Sequence, residues 1–454
     1  MTAPVIPPTL PGRFLVGSAP EFQRDTLNLL LESRKLGEFV RMYYGPFRLY
    51  IVNTPDLAHE VLVEKASSFY KSSVMKAVLE PAVGSGLFTN DGESWRQQRR
   101  LAQPAFHSKR IAAYADVMVQ FAQELAERWQ DEQLLDVEHE MAGVTMQIVS
   151  KTLFDAHVTQ EDTTGQAVAT VLRLADQRFN RIVQLPEWLP TPDNRRMREA
   201  IQHLDELIQG FIDERRATGE DKGDLLSMMI AATDDENGAR MSDKQLRDEV
   251  MTVFGAGHET TAVTLTWAFY VLSQHPDVEA RLHAELDSVL GGRPPKFEDL
   301  PKLTYTEKVI KETMRLYPPA WSVTREPLTS VRLGGKYEVR KRETVMVNIY
   351  GIHRDERYYP DPLRFDPERW TPENEKRMHR YQYLPFGAGP RICIGNAFAM
   401  MEARLVLATL AQRFRLTLVP NQVVVPERVF TLRPRFGMKM IAYARQPVLQ
   451  PQLS

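Results

Sequence analysis

Apolar positions recur at the three- and four-residue spacing of amphipathic helices from about Pro55 to Leu290, a stretch dominated by Ala, Leu, Met, Glu, Arg and Gln. Loops punctuate it at Gly84-Ser85-Gly86, Pro190 to Pro192 and Asp234 to Gly238. Another helix is predicted over about Glu21 to Leu36, and a strongly apolar one from Asn396 onward. Alternation with period two appears where Phe39, Arg41, Tyr43 and then Phe47, Leu49, Ile51 flank Gly45-Pro46, predicting two short strands joined by a turn. It returns over Ser330 to Asn348 and Arg415 to Tyr443. Pro4, Pro7, Pro8, Pro11 and Pro20 make residues 1–20 an extended lead-in. Sheet pieces so far apart in sequence imply one interwoven unit. The prediction is a single, mainly α domain over residues 1–454, with a helical bundle core and a small β-rich region near the N-terminus and in the C-terminal third. No repeat of 20 to 50 residues and no low-complexity block interrupts it.

Composition narrows the function. The 57 basic and 59 acidic side chains leave a formal charge of -2, which offers no global field for nucleic acid. One cysteine makes no intramolecular disulfide, so a reducing cytoplasm is the expected home. The first 25 residues carry Arg13, Glu21, Arg24 and Asp25 among prolines, so no membrane anchor is expected there. The apolar run from Thr260 to Pro276 holds four threonines, a serine and a glutamine, and reads as a buried helix of a soluble protein.

The lone Cys393 lies in Tyr383-Leu384-Pro385-Phe386-Gly387-Ala388-Gly389-Pro390-Arg391-Ile392-Cys393-Ile394-Gly395, just before the apolar helix. A thiolate near a helix amino terminus is stabilised by the dipole and by N–H groups. Glycines let the backbone approach a large planar ligand, and Arg391 adds positive charge, which is what a sulfur-ligated haem requires. The plain alternative is an inert buried cysteine in a turn. The pattern Phe386-x-x-Gly389-x-Arg391-x-Cys393-x-Gly395 resembles the signature of the cytochrome P450 family, the haem-thiolate monooxygenases, and most nearly the soluble bacterial fatty-acid hydroxylases. The resemblance implies that Cys393 is the axial iron ligand of haem b, favouring O–O cleavage, with Phe386, Gly395 and Ala256 beside the cofactor.

Other motifs follow in family order. Glu312-x-x-Arg315, followed by Leu316-Tyr317-Pro318-Pro319, resembles a buried structural pair, although the same spacing at Glu21, Glu38 and Glu93 marks ordinary surface pairs. Phe365-Asp366-Pro367-Glu368-Arg369-Trp370 resembles the segment whose arginine joins that pair, a network serving folding and haem retention. Ala256-Gly257-His258-Glu259-Thr260-Thr261 sits in the most apolar helix, where Gly255 and Gly257 permit local bending. It resembles the acid–alcohol pair that carries protons to bound oxygen, here Glu259 and Thr260. A zinc helix of the His-Glu-x-x-His type fails because position 262 is alanine. The alternative for Thr260 is a hydroxyl bonded back into its own helix, and His258 reads as structural. Trp95 and Arg99, one helical turn apart, suit a carboxylate. The resemblance makes them haem-propionate ligands together with Arg325 and Arg391.

By position in the resembled family, Phe88, Ala256, Val323 and Phe430 line the substrate pocket, Phe88 being equally readable as core. Arg48 and Tyr50 fall on one face of a predicted strand, where related fatty-acid hydroxylases hold a carboxylate; a solvated strand edge is the other reading. The expected substrate is a lipophilic small molecule, with a fatty acid preferred on these residues, and hydroxylation with O2 is the expected outcome. No Gly-x-Gly-x-x-Gly fingerprint or second domain supplies electrons, so a ferredoxin or flavodoxin type donor with an NAD(P)H reductase is expected. Arg96, Arg99, Arg100, Lys109 and Arg110, with Lys376, Arg377 and Arg380, could form its basic docking face or simply be solvated. A monomer is expected. The rivals are a peroxide-using or rearranging enzyme of the same fold, and a non-catalytic haem-binding sensor or carrier.

Overall fold

A computed structural model describes residues 4–156, 158, 163–179, 186, 188–234, 238 and 240–445. The architecture is built around one long helix, Asp243–Gln274. Ser242 starts it with a capping box: its hydroxyl accepts from Gln245 N at 3.3 Å, and the Gln245 side chain accepts from Ser242 N at 2.9 Å. The helix is buried on most sides, so its apolar residues do not form a stripe; Leu265, Trp267 and Ala268 are fully enclosed. It stays helical through Gly255 and Gly257. Gly257 permits close approach of the neighbouring helix Val137–Phe154: a Cβ there would lie 3.2 Å from Val149 Cγ2. Thr145 Oγ1 of that helix donates to His258 O at 3.0 Å across the contact. Helices Ala115–Arg128, Thr304–Leu316 and Asn396–Arg413 complete this core.

The sheet regions lie largely where alternation was found, with short additions and with Val323–Pro327, which precedes the predicted Ser330 to Asn348 region. Five strands run in the spatial order Phe39–Tyr44, Phe47–Val52, Thr344–Val347, Val323–Pro327, Phe69–Lys71. The Thr344 strand is parallel to the Phe47 strand, and the other pairs are antiparallel. At the far edge Lys71 is paired with Arg325 in register, so two cations distant in sequence share one rung. Phe69–Lys71, and Gln133–Asp136 in a second sheet with Phe414–Leu418 and Lys439–Ala444, fall inside the region predicted as helical. Strands of three or four residues leave no pattern for a window to detect. The Glu21–Leu36 prediction resolves into Ala19–Arg24 and Thr26–Leu36, because Asp25 leaves helical geometry and caps the second helix through Asn28 N at 3.1 Å. Of the lead-in, residues 4–12 run without helix and join the first sheet's edge, Leu10 N donating to Arg41 O at 2.8 Å, but Arg13 to Gly17 close a turn and the helix already begins at Ala19, so the extended segment ends earlier than predicted.

A hairpin of Pro426–Arg428 and Leu432–Pro434 holds Phe430 at its tip. Trp267 ties it to the long helix: its indole donates to Leu432 O at 2.7 Å and stacks on Tyr317 at 4.0 Å between centroids. Among the described residues no helix is long and apolar enough to cross a membrane.

Candidate active site

A cavity of about 380 Å³ lies between the long helix, the cysteine loop, the loop carrying Phe88 and the Phe430 hairpin. Cys393, Ala256, Phe88, Val323 and Phe430 all line it, as do Phe386 and Gly395. The cysteine loop is held in shape by Cys393 N donating to Phe386 O at 3.0 Å. Gly389 is required there, having φ +69° and a backbone so close that a Cβ would sit 2.0 Å from Leu62 O. The thiol opens onto the cavity but lies deep in the protein; burial pushes its pKa up, opposed by the Gly395 N–H and the charge of Arg99. A metal ion bound at that sulfur would reverse the balance and hold it as thiolate.

One edge of the cavity concentrates positive charge. Trp95 and Arg99 come from the helix Gly92–Ala102, Arg391 from the cysteine loop, Arg325 and Lys71 from the paired strands, and all five line the cavity. The Arg391 guanidinium lies 3.7 Å over the Trp95 ring and pairs with Asp91. Arg99 donates to Ile392 O at 3.0 Å, next to Cys393, and Arg325 to its neighbour Thr324 O at 2.8 Å. Desolvation lowers Arg325 and Arg391 to about 10, and lowers Lys71 well below its usual value with the help of those two arginines. Four cations thus face one another with Asp91 among them and Glu249 behind Lys71. So much buried positive charge suits an anionic ligand. Haem b, carrying two carboxylates at one edge and iron at its centre, matches this edge and Cys393, so the residues present fit that group.

Glu259 and Thr260 both line the cavity. Thr260 Oγ1 donates to Ala256 O at 2.9 Å, the back-bonded arrangement weighed against a proton-carrying role. Glu259 crosses to the hairpin and accepts from Thr431 Oγ1 at 2.9 Å. Burial raises its pKa and Asp176 adds to the rise, while Thr431 and Arg433 oppose it. His258 is buried, its Nδ1 3.2 Å from Phe254 O within the helix, as a structural residue would be.

Glu312 and Arg315 are fully buried. Glu312 receives Arg315 Nε at 2.8 Å and Nη2 at 2.9 Å, Arg369 Nε at 3.2 Å, Trp370 Nε1 at 3.0 Å and Asp366 N at 2.9 Å. Arg315 also donates to His353 O at 2.8 Å. His353 Nε2 in turn accepts from Leu384 N at 2.8 Å, where the cysteine loop begins. Burial, then the charges of Arg315 and Arg354, push His353 down to about 3, keeping it neutral and able to accept. The network therefore reaches the loop mechanically, through a histidine that no motif marked.

Arg48 and Tyr50 do not line the cavity. The carboxylate they hold is the chain's own: Arg48 Nη1 and Tyr50 OH donate to the two oxygens of Glu343, each at 3.1 Å. Arg96 pairs with Glu93 and Arg100 with Asp234, while Lys376, Arg377 and Arg380 are exposed; the Lys109 side chain lies outside the described residues. Lys71, Thr431 and Asp91 are site residues that sequence reasoning missed, since each is placed by pairing with a distant segment.

Comparison with known proteins agrees with this geometry. The family model "Cytochrome P450" matches residues 7–439. Cyclooctatin synthase of Streptomyces melanosporofaciens is 39% identical over 449 residues, covering 97% of this chain and 95% of the relative. Cyclooctat-9-en-7-ol 5-monooxygenase of the same species is 38% identical, with 91% and 90% covered, and pentalenene oxygenase of Streptomyces avermitilis 36% identical, with 97% and 98% covered. A crystal structure of a cytochrome P450 heme domain superposes with a TM-score of 0.91 at 29% identity, covering 99% of this chain and 100% of that one.

Proposed function

The chain belongs to the cytochrome P450 family, haem-thiolate monooxygenases that are oxidoreductases, and from that premise we propose that it oxygenates an uncharged, cyclic, terpene-like molecule using electrons from a separate protein. The observation that carries the substrate class is the distribution of charge in the cavity. Its cations gather at the Trp95 edge, where haem propionates would take them, and the other walls present mainly apolar groups, with hydroxyls such as Thr260 and Thr431 and the carboxyls of Asp176 and Glu259. Among the described residues lining the cavity no cation stands away from that edge to receive a fatty-acid carboxylate, and Arg48 and Tyr50 are already engaged by Glu343. Relatives named for pentalenene and cyclooctat-9-en-7-ol support a cyclic substrate in place of the fatty acid preferred from sequence.

Haem b bound through Cys393 would supply O2 activation, one oxygen atom entering the substrate and the other leaving as water. Trp95, Arg99, Arg325, Arg391 and Lys71 would hold its propionates, and Phe386, Gly395 and Ala256 would pack against it. Phe88, Val323 and Phe430 confine the substrate and exclude water from its reacting face. Thr260 offers a hydroxyl at the wall, and Glu259, whose carboxyl burial shifts toward the protonated form, exchanges a proton by way of the Thr431 hydroxyl. This supply of protons favours the O2-using reading over the peroxide-using one. The Glu312, Arg315 and Arg369 network retains the cysteine loop. We read residues 1–454 as one catalytic domain, a cytoplasmic monomer, with Arg96, Arg110, Lys376, Arg377 and Arg380 receiving an acidic ferredoxin or flavodoxin reduced by an NAD(P)H enzyme.

The test is a titration of the ferric protein with pentalenene and with palmitate, following the spin-state change of the Soret band. Saturable conversion by pentalenene and little by palmitate is expected. The reverse preference, abolished by Arg48→Ala, would restore the fatty-acid reading.

A further inference from the structure

The loop that carries Phe88 is fastened to the long helix at two adjacent residues. Asp248 Oδ2 accepts from Ser85 N at 2.9 Å, and Glu249 Oε2 accepts from Leu87 N at 3.0 Å. The contact is too close for side chains on the loop: a Cβ at Gly84 would fall 2.0 Å from Asp248 Oδ1, and one at Gly86 would fall 2.3 Å from Thr252 Oγ1. Gln98 adds a hold from the Trp95 helix, donating to Ser85 O at 2.8 Å. Lys71 donates to Phe88 O and lies 4.2 Å over the Phe88 ring. Phe88 then meets Phe430 edge to face at 5.8 Å across the cavity.

The two acids differ in what else binds them. Asp248 is paired with Arg247 at 2.9 Å and Lys244 at 2.6 Å, so its charge has local partners without the loop. Glu249 is fully buried and its Oε1 has no hydrogen-bond partner among the described residues. Its one hydrogen bond among the described residues is accepted from the Leu87 amide, immediately before Phe88. A buried carboxyl without a cation in contact is costly, and here its single hydrogen bond fixes the backbone that aims an aromatic ring into the substrate chamber.

We infer that Glu249 is a positioning residue for substrate selection: through the Leu87 amide it sets where the Phe88 ring stands, and hence which molecules fit the cavity and in what orientation. The inference rests on the reading of the cavity as the chamber facing the haem. Glutamine can still accept from Leu87 N, whereas leucine leaves that buried N–H without a partner.

The experiment titrates the ferric holoenzyme with imidazole, too small to reach the wall, and with 4-phenylimidazole, whose ring must share space with Phe88. Parent, Glu249→Gln and Glu249→Leu are compared by the ratio of the two Kd values from the Soret shift. The ratio should move by about tenfold in Glu249→Leu, a change of about 1.4 kcal/mol, and be retained by Glu249→Gln. In a Phe88→Ala background the Glu249→Leu effect should vanish. An unchanged ratio in Glu249→Leu, loss of the ratio in Glu249→Gln, or an effect that persists without Phe88 would each overturn the inference. If Glu249→Leu fails to hold haem, hydrogen exchange of the parent decides it: the Leu87 amide should be strongly protected, and fast exchange would overturn the proposal. Failure of imidazole to shift the parent's Soret band would instead strike at the chamber reading itself.

Discussion

Replacing Glu312 by glutamine should release the cysteine loop and, with it, haem. Glu312 is fully enclosed and its two oxygens accept five hydrogen bonds, three of them from arginine nitrogens. Glutamine keeps one acceptor oxygen, so Trp370 and Asp366 N cannot both be served, and its NH2 group faces the Arg315 guanidinium. Arg315 retains carbonyl partners at His353, Pro362 and Arg364, which limits the damage but does not neutralise its charge. Leaving one buried charge uncompensated costs about 3 to 5 kcal/mol, or roughly two to three and a half orders of magnitude in the folded-to-unfolded ratio at about 1.4 kcal/mol per tenfold. The assay is loss of the red-shifted Soret band of the reduced, CO-bound protein against denaturant, with haem per protein measured in parallel. Glu368→Gln is the control, because Glu368 pairs with Arg281 and Lys308 in a partly exposed position, where an ion pair is worth less than about 1 kcal/mol. Equal midpoints for the two variants would refute the argument that the buried network, and not bulk helix stability, secures the loop.

Cys393→His should lose the strongly red-shifted CO band and give at most an imidazole-type spectrum; a parent-like band would show that another group ligates iron. Reversing Lys376, Arg377 and Arg380 to glutamate should slow reduction by an acidic ferredoxin by about tenfold at low salt and leave dithionite reduction intact; an equal rate with the ferredoxin would move the docking face elsewhere. Stability should also depend on pH through Glu249, which is raised to about 7 first by burial and then by Asp248, with Leu87 N and Lys71 opposing. A carboxyl raised in the folded state favours the folded form while protonated, so stability is lost as pH rises from about 4.5 to about 7. The gap between the parent and Glu249→Gln should therefore widen in favour of glutamine across that window, by up to about 3 kcal/mol, and be flat above it. A gap independent of pH from 5 to 8 in chemical unfolding would show that Glu249 does not titrate there.

What could be read from sequence was what is contiguous. The cysteine loop, Glu312-x-x-Arg315 and the Ala256 to Thr261 run each place their chemistry within one turn of backbone, so residue type and spacing were enough to mark them. Lys71 was invisible for the opposite reason: it belongs to a three-residue strand and gains its place only by pairing with Arg325. The Arg48 and Tyr50 case shows the same limit inside a correct prediction. Their strand and shared face were legible, but the identity of the carboxylate was not, because Glu343 arrives beside the parallel strand Thr344–Val347, whose register sets Leu49 opposite Thr344. A substrate anchor and an internal ion pair have the same one-strand signature.

The haem side and the substrate side differ in legibility for a related physical reason. A thiolate, the groups of Trp95, Arg99, Arg325 and Arg391 and a buried Arg–Glu–Arg network are expensive to bury, and each expense requires particular residue types at particular places. The walls we propose for the substrate cost little: Ala256, Val323 and Phe430 are apolar groups on three separate elements lining the cavity, and any of them would look the same in an ordinary core. Only the polar fastenings behind such a wall distinguish it from packing. Glu249 and Asp248, which read in sequence as two more acids near the start of a helix, become informative once Ser85 N and Leu87 N are found on them, because a buried carboxyl kept for one amide of a wall loop implies that the position of that loop matters.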